Sequence, residues 1–126
     1  PRLKTDFFEI IEAVINQKLN SQSIDWYDDK SICIVLCSKG YPEKYENNSE
    51  IKNLDKIKLD EKNFLFHAGT KNENSKIFSN GGRVLNFVSI SKSFKKAREQ
   101  SLSLINNLQW ENGFYRKDIG YKVIDE

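Results

Sequence analysis

Three short clusters carry the residue types that could bind or position a ligand: Ser38-Lys39-Gly40-Tyr41-Pro42, His67-Ala68-Gly69-Thr70-Lys71 and Asn80-Gly81-Gly82-Arg83. Each sets a polar or cationic side chain beside glycine, where the backbone can turn sharply and approach a ligand closely. Any one of them also reads as ordinary turn chemistry, because Gly, Asn and Lys gather in turns for steric reasons alone. Arg83 is the exception in weight. It is one of four arginines and follows two glycines at the mouth of an apolar run, where a guanidinium can hold a phosphate or carboxylate through two parallel hydrogen bonds.

The inventory for covalent or acid–base catalysis is thin. His67 is the sole histidine, so a Ser/His/Asp or Cys/His site would have to use it, and no nucleophile-elbow pattern surrounds it. A histidine inside an apolar strand reads first as a hydrogen-bonded rim or core residue. No Walker loop or GxGxxG is present, and one histidine with a single Cys pair makes no zinc pattern. Cys33 and Cys37 in an extended run fall about 13 Å apart on one face, beyond disulfide reach, and read as two reduced core thiols of a cytoplasmic protein. Tyr115-Arg116-Lys117-Asp118 reads either as a second anion site or, in preference, as an Arg116–Asp118 pair that pins the tail.

Several elements must position these groups. Phe7, Phe8, Ile11, Val14, Ile15 and Leu19 predict a helix over 6–19, with Asp6 and Glu9 as a capping box. SICIVLCS reads as a buried strand. Residues 43–63, rich in charge and poor in apolar anchors, read as a surface excursion with at most a short turn or edge strand. FLFHAGT and SKIFSN flanking KNEN predict a β-hairpin, and RVLNFVSIS a third strand. Ser93 caps a second helix over 94–108, and FYRKDIGYKVI reads as a tail with one last short strand. The expected fold class is α+β: an N-terminal helix followed by a small antiparallel β-rich domain with one packed helix.

Composition narrows the function classes. A chain of 126 residues is one compact domain's worth. Its 20 basic and 18 acidic residues leave a net charge of +2, and the lysines are spread along the chain, which predicts a solvated surface and no nucleic-acid track. No apolar run is long enough for a membrane span, and residues 1–10 lack a signal-peptide pattern. The sequence contains no Met, which predicts a piece of something longer.

In order and spacing, PRLKTDFFEII, SICIVLCSKGYPEKYE, FLFHAGTK, SNGGRVLNFVSIS, KKAREQS and GFYRKDIGYK resemble the C-terminal part of the phosphoribosylamine–glycine ligases, or glycinamide ribonucleotide synthetases, of the ATP-grasp superfamily. The resemblance implies that residues 1–20 are the terminal helix of the ATP-grasp region. Residues 21–126 would then be a C-terminal, substrate-side domain similar to that of biotin carboxylase. It implies a reaction in de novo purine synthesis that joins glycine to 5-phosphoribosylamine through a glycyl phosphate, with ATP and magnesium or manganese serving the full-length enzyme and neither bound by this chain alone. No residue of the chain would be catalytic or hold a metal, and the isolated chain would be inactive.

By similarity to related ATP-grasp enzymes, Lys71 and Arg83 are the expected holders of the ribose phosphate of the substrate or of its glycinamide product. Gly81 and Gly82 would add backbone N–H groups, and Lys39 and His67 are the second-choice pocket residues. The implied partners are the remaining domains of the ligase, with neither nucleic acid nor membrane. The apolar face of helix one would pack on those domains or, without them, on a second copy of the chain. The competing reading is a free-standing, non-catalytic module for RNA or a protein partner, motivated by the mild basic balance and by Trp26, Tyr27, Trp110 and Tyr115.

Overall fold

The computed structural model describes residues 1–124. Its centre is a four-stranded antiparallel sheet in the order β3 (Asn63–His67), β6 (Arg83–Ser91), β1 (Lys30–Ser38) and β7 (Gly113–Phe114). A second, three-stranded sheet runs β2 (Glu50–Ile51), β5 (Lys76–Ser79), β4 (Thr70–Glu73). Three helices, α1 (Phe7–Ile15), α2 (Phe94–Ile105) and α3 (Tyr121–Ile124), complete the expected α+β class.

The strand periodicity explains where the core sits. Ile32, Ile34 and Leu36 of β1 lie opposite Ser89, Phe87 and Leu85 of β6, so one face of the sheet carries these side chains. They cluster with Ala97 and Ile105 of α2, with Ile51 and Ile57 from the long excursion, and with Trp110. A buried hydrogen-bond chain crosses the same layer: Ser101 Oγ donates to Ser89 Oγ at 2.8 Å, Ser89 Oγ donates to Asn63 Oδ1 at 2.8 Å, and Asn63 Nδ2 donates to Asp60 Oδ1 at 2.8 Å. It ties α2, β6 and β3 together without leaving the buried hydroxyls unpaired. The other face, with Phe64 and Phe66 of β3 opposite Val88 and Asn86, is less covered, and Phe66 stays exposed.

Several sequence expectations are corrected. Cys33 points to that open face and is exposed, while Cys37 alone is a buried thiol; alternation put Ile32 and Ile34 inward and Cys33 outward. Helix one ends at Ile15 because Gln17 adopts a left-handed φ of 56°. The N–H of Lys18 then bonds to the Ala13 carbonyl and that of Gln17 to the Val14 carbonyl, the double closure that stops helices. Helix two stops at Ile105. FLFH does not pair with KIFS. It joins the large sheet on β6, and the hairpin is formed by β4 and β5, whose two-residue connection Asn74-Ser75 has φ of 51° and 63°, as a mirror-image hairpin turn needs.

Trp110 is 9% exposed and belongs to the core, so it cannot serve as a surface stacking platform. The excursion over 43–63 contributes buried Ile51 and Ile57; as expected, it holds only a two-residue strand and a short 3-10 turn, Leu54–Lys56. Helix one keeps its apolar stripe in solvent: Phe7 is 64% exposed, Phe8 65% and Ile15 73%.

Candidate functional site

The three glycine clusters, far apart in sequence, meet at one end of the large sheet. Ser38 Oγ donates to the Gly81 carbonyl at 2.7 Å and its N–H to the Gly82 carbonyl at 2.8 Å. Ala68 and Gly69 donate to the carbonyls of Val84 and Arg83, and Asn80 donates back to the Gly69 carbonyl at 2.7 Å. The contact needs glycine: a Cβ on Gly69 would lie 3.0 Å from Gly81 Cα, and one on Gly82 would enter the ring of Tyr41.

Arg83 leaves this junction on the open side of the sheet. The register between β1 and β6 slips after Leu36, so that Leu36 faces Leu85 but Cys37 faces Arg83. The bulge places Arg83 on the side of Val35 and Cys37 instead of the core side its neighbours would dictate. Burial pushes the Cys37 thiol up in pKa, and the charge of the paired Arg83 opposes that shift.

Each of the other three arginines already has a structural task. Arg2 donates to the Tyr27 carbonyl, Arg98 to the carbonyls of Ile119 and Lys117, and Arg116 to Asp118. Among the described residues the Arg83 guanidinium has no hydrogen-bond or ion-pair partner, and it is exposed.

The remaining expected site residues are placed differently. Gly81 and Gly82 lie in the junction, and their N–H groups take no backbone partner among the described residues. Lys71 sits on β4 of the small sheet, its ammonium 2.8 Å from Glu73 Oε1. His67 lies opposite Leu85, on the face away from Arg83, with Nδ1 3.0 Å from Thr70 Oγ1. The backbone of Lys39 is held by Asn112 and Glu46 while its side chain is exposed. The structure therefore brings Arg83, Gly81 and Gly82 together and keeps His67 on another face.

Sequence reasoning missed the walls beside Arg83. A partly open cavity of about 430 Å³ is lined there by Val35, Tyr41, Phe114 and Tyr115, with Ile119 and Arg116 at the tail. The available signal was the aromatic–charged alternation of FYRKDIGYK, which read as a last strand and a pinning pair and not as a cavity wall. Its Arg116–Asp118 pair, with contacts at 3.0 and 2.6 Å, closes a turn within the tail and holds the Asp118 carboxyl below the usual aspartate range. The expected pinning to the body is done by Arg98 instead, because its position on α2 faces the tail carbonyls.

Among the described residues, no three His, Cys, Asp or Glu side chains come together to hold a metal ion, and no helix is long and apolar enough to cross a membrane.

Known proteins resemble this chain in sequence and in fold. Residues 31–122 match the family model described as phosphoribosylglycinamide synthetase, C domain. The chain is 43% identical over 119 residues to a phosphoribosylamine–glycine ligase of Caldanaerobacter subterraneus subsp. tengcongensis, covering 94% of this chain and 28% of that protein. It is 38% identical over 128 residues to the trifunctional purine biosynthetic protein adenosine-3 of Gallus gallus, covering 98% of this chain and 12% of that one. A crystal structure of phosphoribosylamine–glycine ligase from Thermotoga maritima superimposes with a TM-score of 0.67 at 25% identity, over 89% of this chain and 28% of that one. The chain thus spans less than a third of the length of these relatives. A domain match over most of the chain, a relative 43% identical over 94% of the chain and the shared fold lead to one conclusion: this chain belongs to the phosphoribosylglycinamide synthetase C-domain family.

Proposed function

We propose that this chain is the substrate-side, C-terminal domain of a cytoplasmic, ATP-dependent phosphoribosylamine–glycine ligase, and that Arg83 holds the ribose phosphate of the amine substrate. The observation that carries the assignment is the partnerless guanidinium of Arg83, set by a bulge at the point where three glycine clusters converge. A dianionic phosphate there would accept from the guanidinium fork and from the N–H groups of Gly81 and Gly82, a concave set of backbone donors suited to anions. Lys71 would complete the site only by leaving Glu73, since an ammonium at 2.8 Å from a carboxylate has part of its charge already answered. Lys39 is a rim residue in this reading, and His67, on the face away from Arg83, takes no part in it.

ATP and its divalent metal activate the glycine carboxylate when bound. In this reading the sites of both lie on the remaining domains of the ligase. Those domains are also the proposed cover for the exposed stripe of α1, with residues 1–20 as the last helix of the ATP-grasp region, outside the matched span of 31–122. The chain's own part is to bind and orient: Arg83 fixes the phosphate so that the sugar amine is aimed at the activated carboxylate.

The test is Arg83→Gln in the full-length ligase. Loss of a charged hydrogen-bond pair of about 1.5–3 kcal/mol predicts a KM for phosphoribosylamine raised about 10–100-fold with kcat little changed. An unchanged KM would remove Arg83 from the site.

A further inference from the structure

The cavity beside Arg83 has a chemistry that a ribose phosphate does not use. Its volume of about 430 Å³ lies within the ~300–1,000 Å³ typical of small-molecule sites. Three aromatic rings, Tyr41, Phe114 and Tyr115, share its lining with the aliphatic Val35 and Ile119. A hydroxylated sugar finds few partners on such walls, whereas a flat ring gains both apolar burial and ring–ring contact.

The walls are fixed in advance. The Tyr41 ring rests on Gly82, and its N–H bonds to the Ser38 carbonyl at 3.1 Å. Phe114 is paired with Cys37 in β7, and the Ile119 carbonyl is held by Arg98 at 3.0 Å. Little ordering would be needed on binding, which favours affinity. Of the two guanidinium groups in the lining, Arg116 is occupied by Asp118 and Arg83 is without a partner among the described residues.

We propose that this cavity binds a small planar aromatic or heteroaromatic anion, its ring against Tyr41, Phe114 and Tyr115 and its anionic group on Arg83. The proposal shares Arg83 with the ribose-phosphate reading and otherwise goes beyond it, adding a ring for the aromatic walls that the sugar phosphate lacks.

The experiment is calorimetric titration of the full-length protein with phenyl phosphate, inorganic phosphate and ribose 5-phosphate, using the unmodified protein, Arg83→Gln and Val35→Trp, which fills the cavity. Phenyl phosphate is expected to bind at least about tenfold more tightly than inorganic phosphate, the effect of burying one ring. It should weaken about tenfold in each variant, while ribose 5-phosphate weakens only in Arg83→Gln. Should Val35→Trp fold poorly, judged by circular dichroism, Phe114→Ala must show the same selective loss.

Phenyl phosphate binding no better than inorganic phosphate, or indifferent to both wall variants, overturns the proposal. If ribose 5-phosphate still depends on Arg83 in that outcome, the ligase reading stands alone. The reverse result, phenyl phosphate sensitive to every variant and ribose 5-phosphate indifferent to Arg83, keeps the cavity and removes the sugar-phosphate role.

Discussion

Gly69 and Gly81 pack backbone against backbone: a Cβ on Gly69 would stand 3.0 Å from Gly81 Cα and 2.7 Å from the Arg83 carbonyl oxygen. Neither neighbour is a flexible side-chain end that could swing aside. Gly69→Ala is therefore expected to destabilise the chain by about 1–3 kcal/mol, the usual cost of overpacking. Gly81→Ala, whose Cβ would meet Gly69 Cα at 3.2 Å and the Arg83 oxygen only at 3.8 Å, should cost less. Urea unfolding of the two variants checks the order, and equal costs would mean that the junction relaxes freely.

The arginines separate by task. Arg98→Gln removes bonds to the Ile119 and Lys117 carbonyls and should lower stability by about 1–3 kcal/mol. Arg83→Gln, which breaks no contact among the described residues, should stay within about 0.5 kcal/mol of the unmodified chain. Thermal and urea unfolding measure both. A large loss in Arg83→Gln would reveal a structural role and weaken its assignment to a ligand.

The buried serine chain has a direction. In Ser101→Ala the Ser89 hydroxyl still donates to Asn63, so no donor is stranded. Ser89→Ala instead leaves the Ser101 hydroxyl and Asn63 Oδ1 without their partner, at about 1–3 kcal/mol for unsatisfied buried groups. Ser89→Ala is expected to be the more damaging in urea unfolding, and the opposite order would contradict the donor assignment.

Acid stability is expected to depend in part on Asp29, one of three carboxyls among the described residues held below their ordinary value, with Asp60 and Asp118. The Lys92 ammonium, 2.8 Å from Asp29 Oδ1, holds the Asp29 carboxyl below its ordinary value through hydrogen bonding and charge, against a smaller opposing desolvation. A depressed carboxylate contributes stability above its unfolded pKa of about 3.9 and loses it as pH falls through the folded value. Lys92 is raised by the same pair, so its contribution is present below about pH 10.4 and is lost above, as pH rises through the folded value. Asp29→Asn should thus flatten the fall in stability below about pH 4. An unchanged acid limb, followed by urea midpoints across pH, would show the pair contributes nothing.

Local signals in the chain were enough for most element types, the exception being the tail, whose Tyr121–Ile124 turn is the helix α3 and not part of a strand. The β-branched runs at 31–38 and 83–91 became the two long central strands, Ser93 became the cap of α2 with its side chain accepting from the Lys96 N–H, and Asp6 caps α1. The ordered glycine clusters were sufficient for the family, because the matching strings span nearly the whole chain. These features depend on neighbours within a few residues, or on residue order, and both are written in the sequence.

What tertiary structure alone decided is pairing and direction. FLFH could have continued into the hairpin; the choice of β6 as its partner brought Phe64 beside Val88 and Leu65 beside Phe87, a burial that no local pattern records. The register slip at Leu36 and Cys37 turned Arg83 away from the core, since one residue of shift exchanges the two faces of a strand. The same slip placed it beside Tyr41 and Phe114 instead of His67. Sequence determined which residues could bind an anion; the contacts between strands distant in the chain determined which of them is left free to do so.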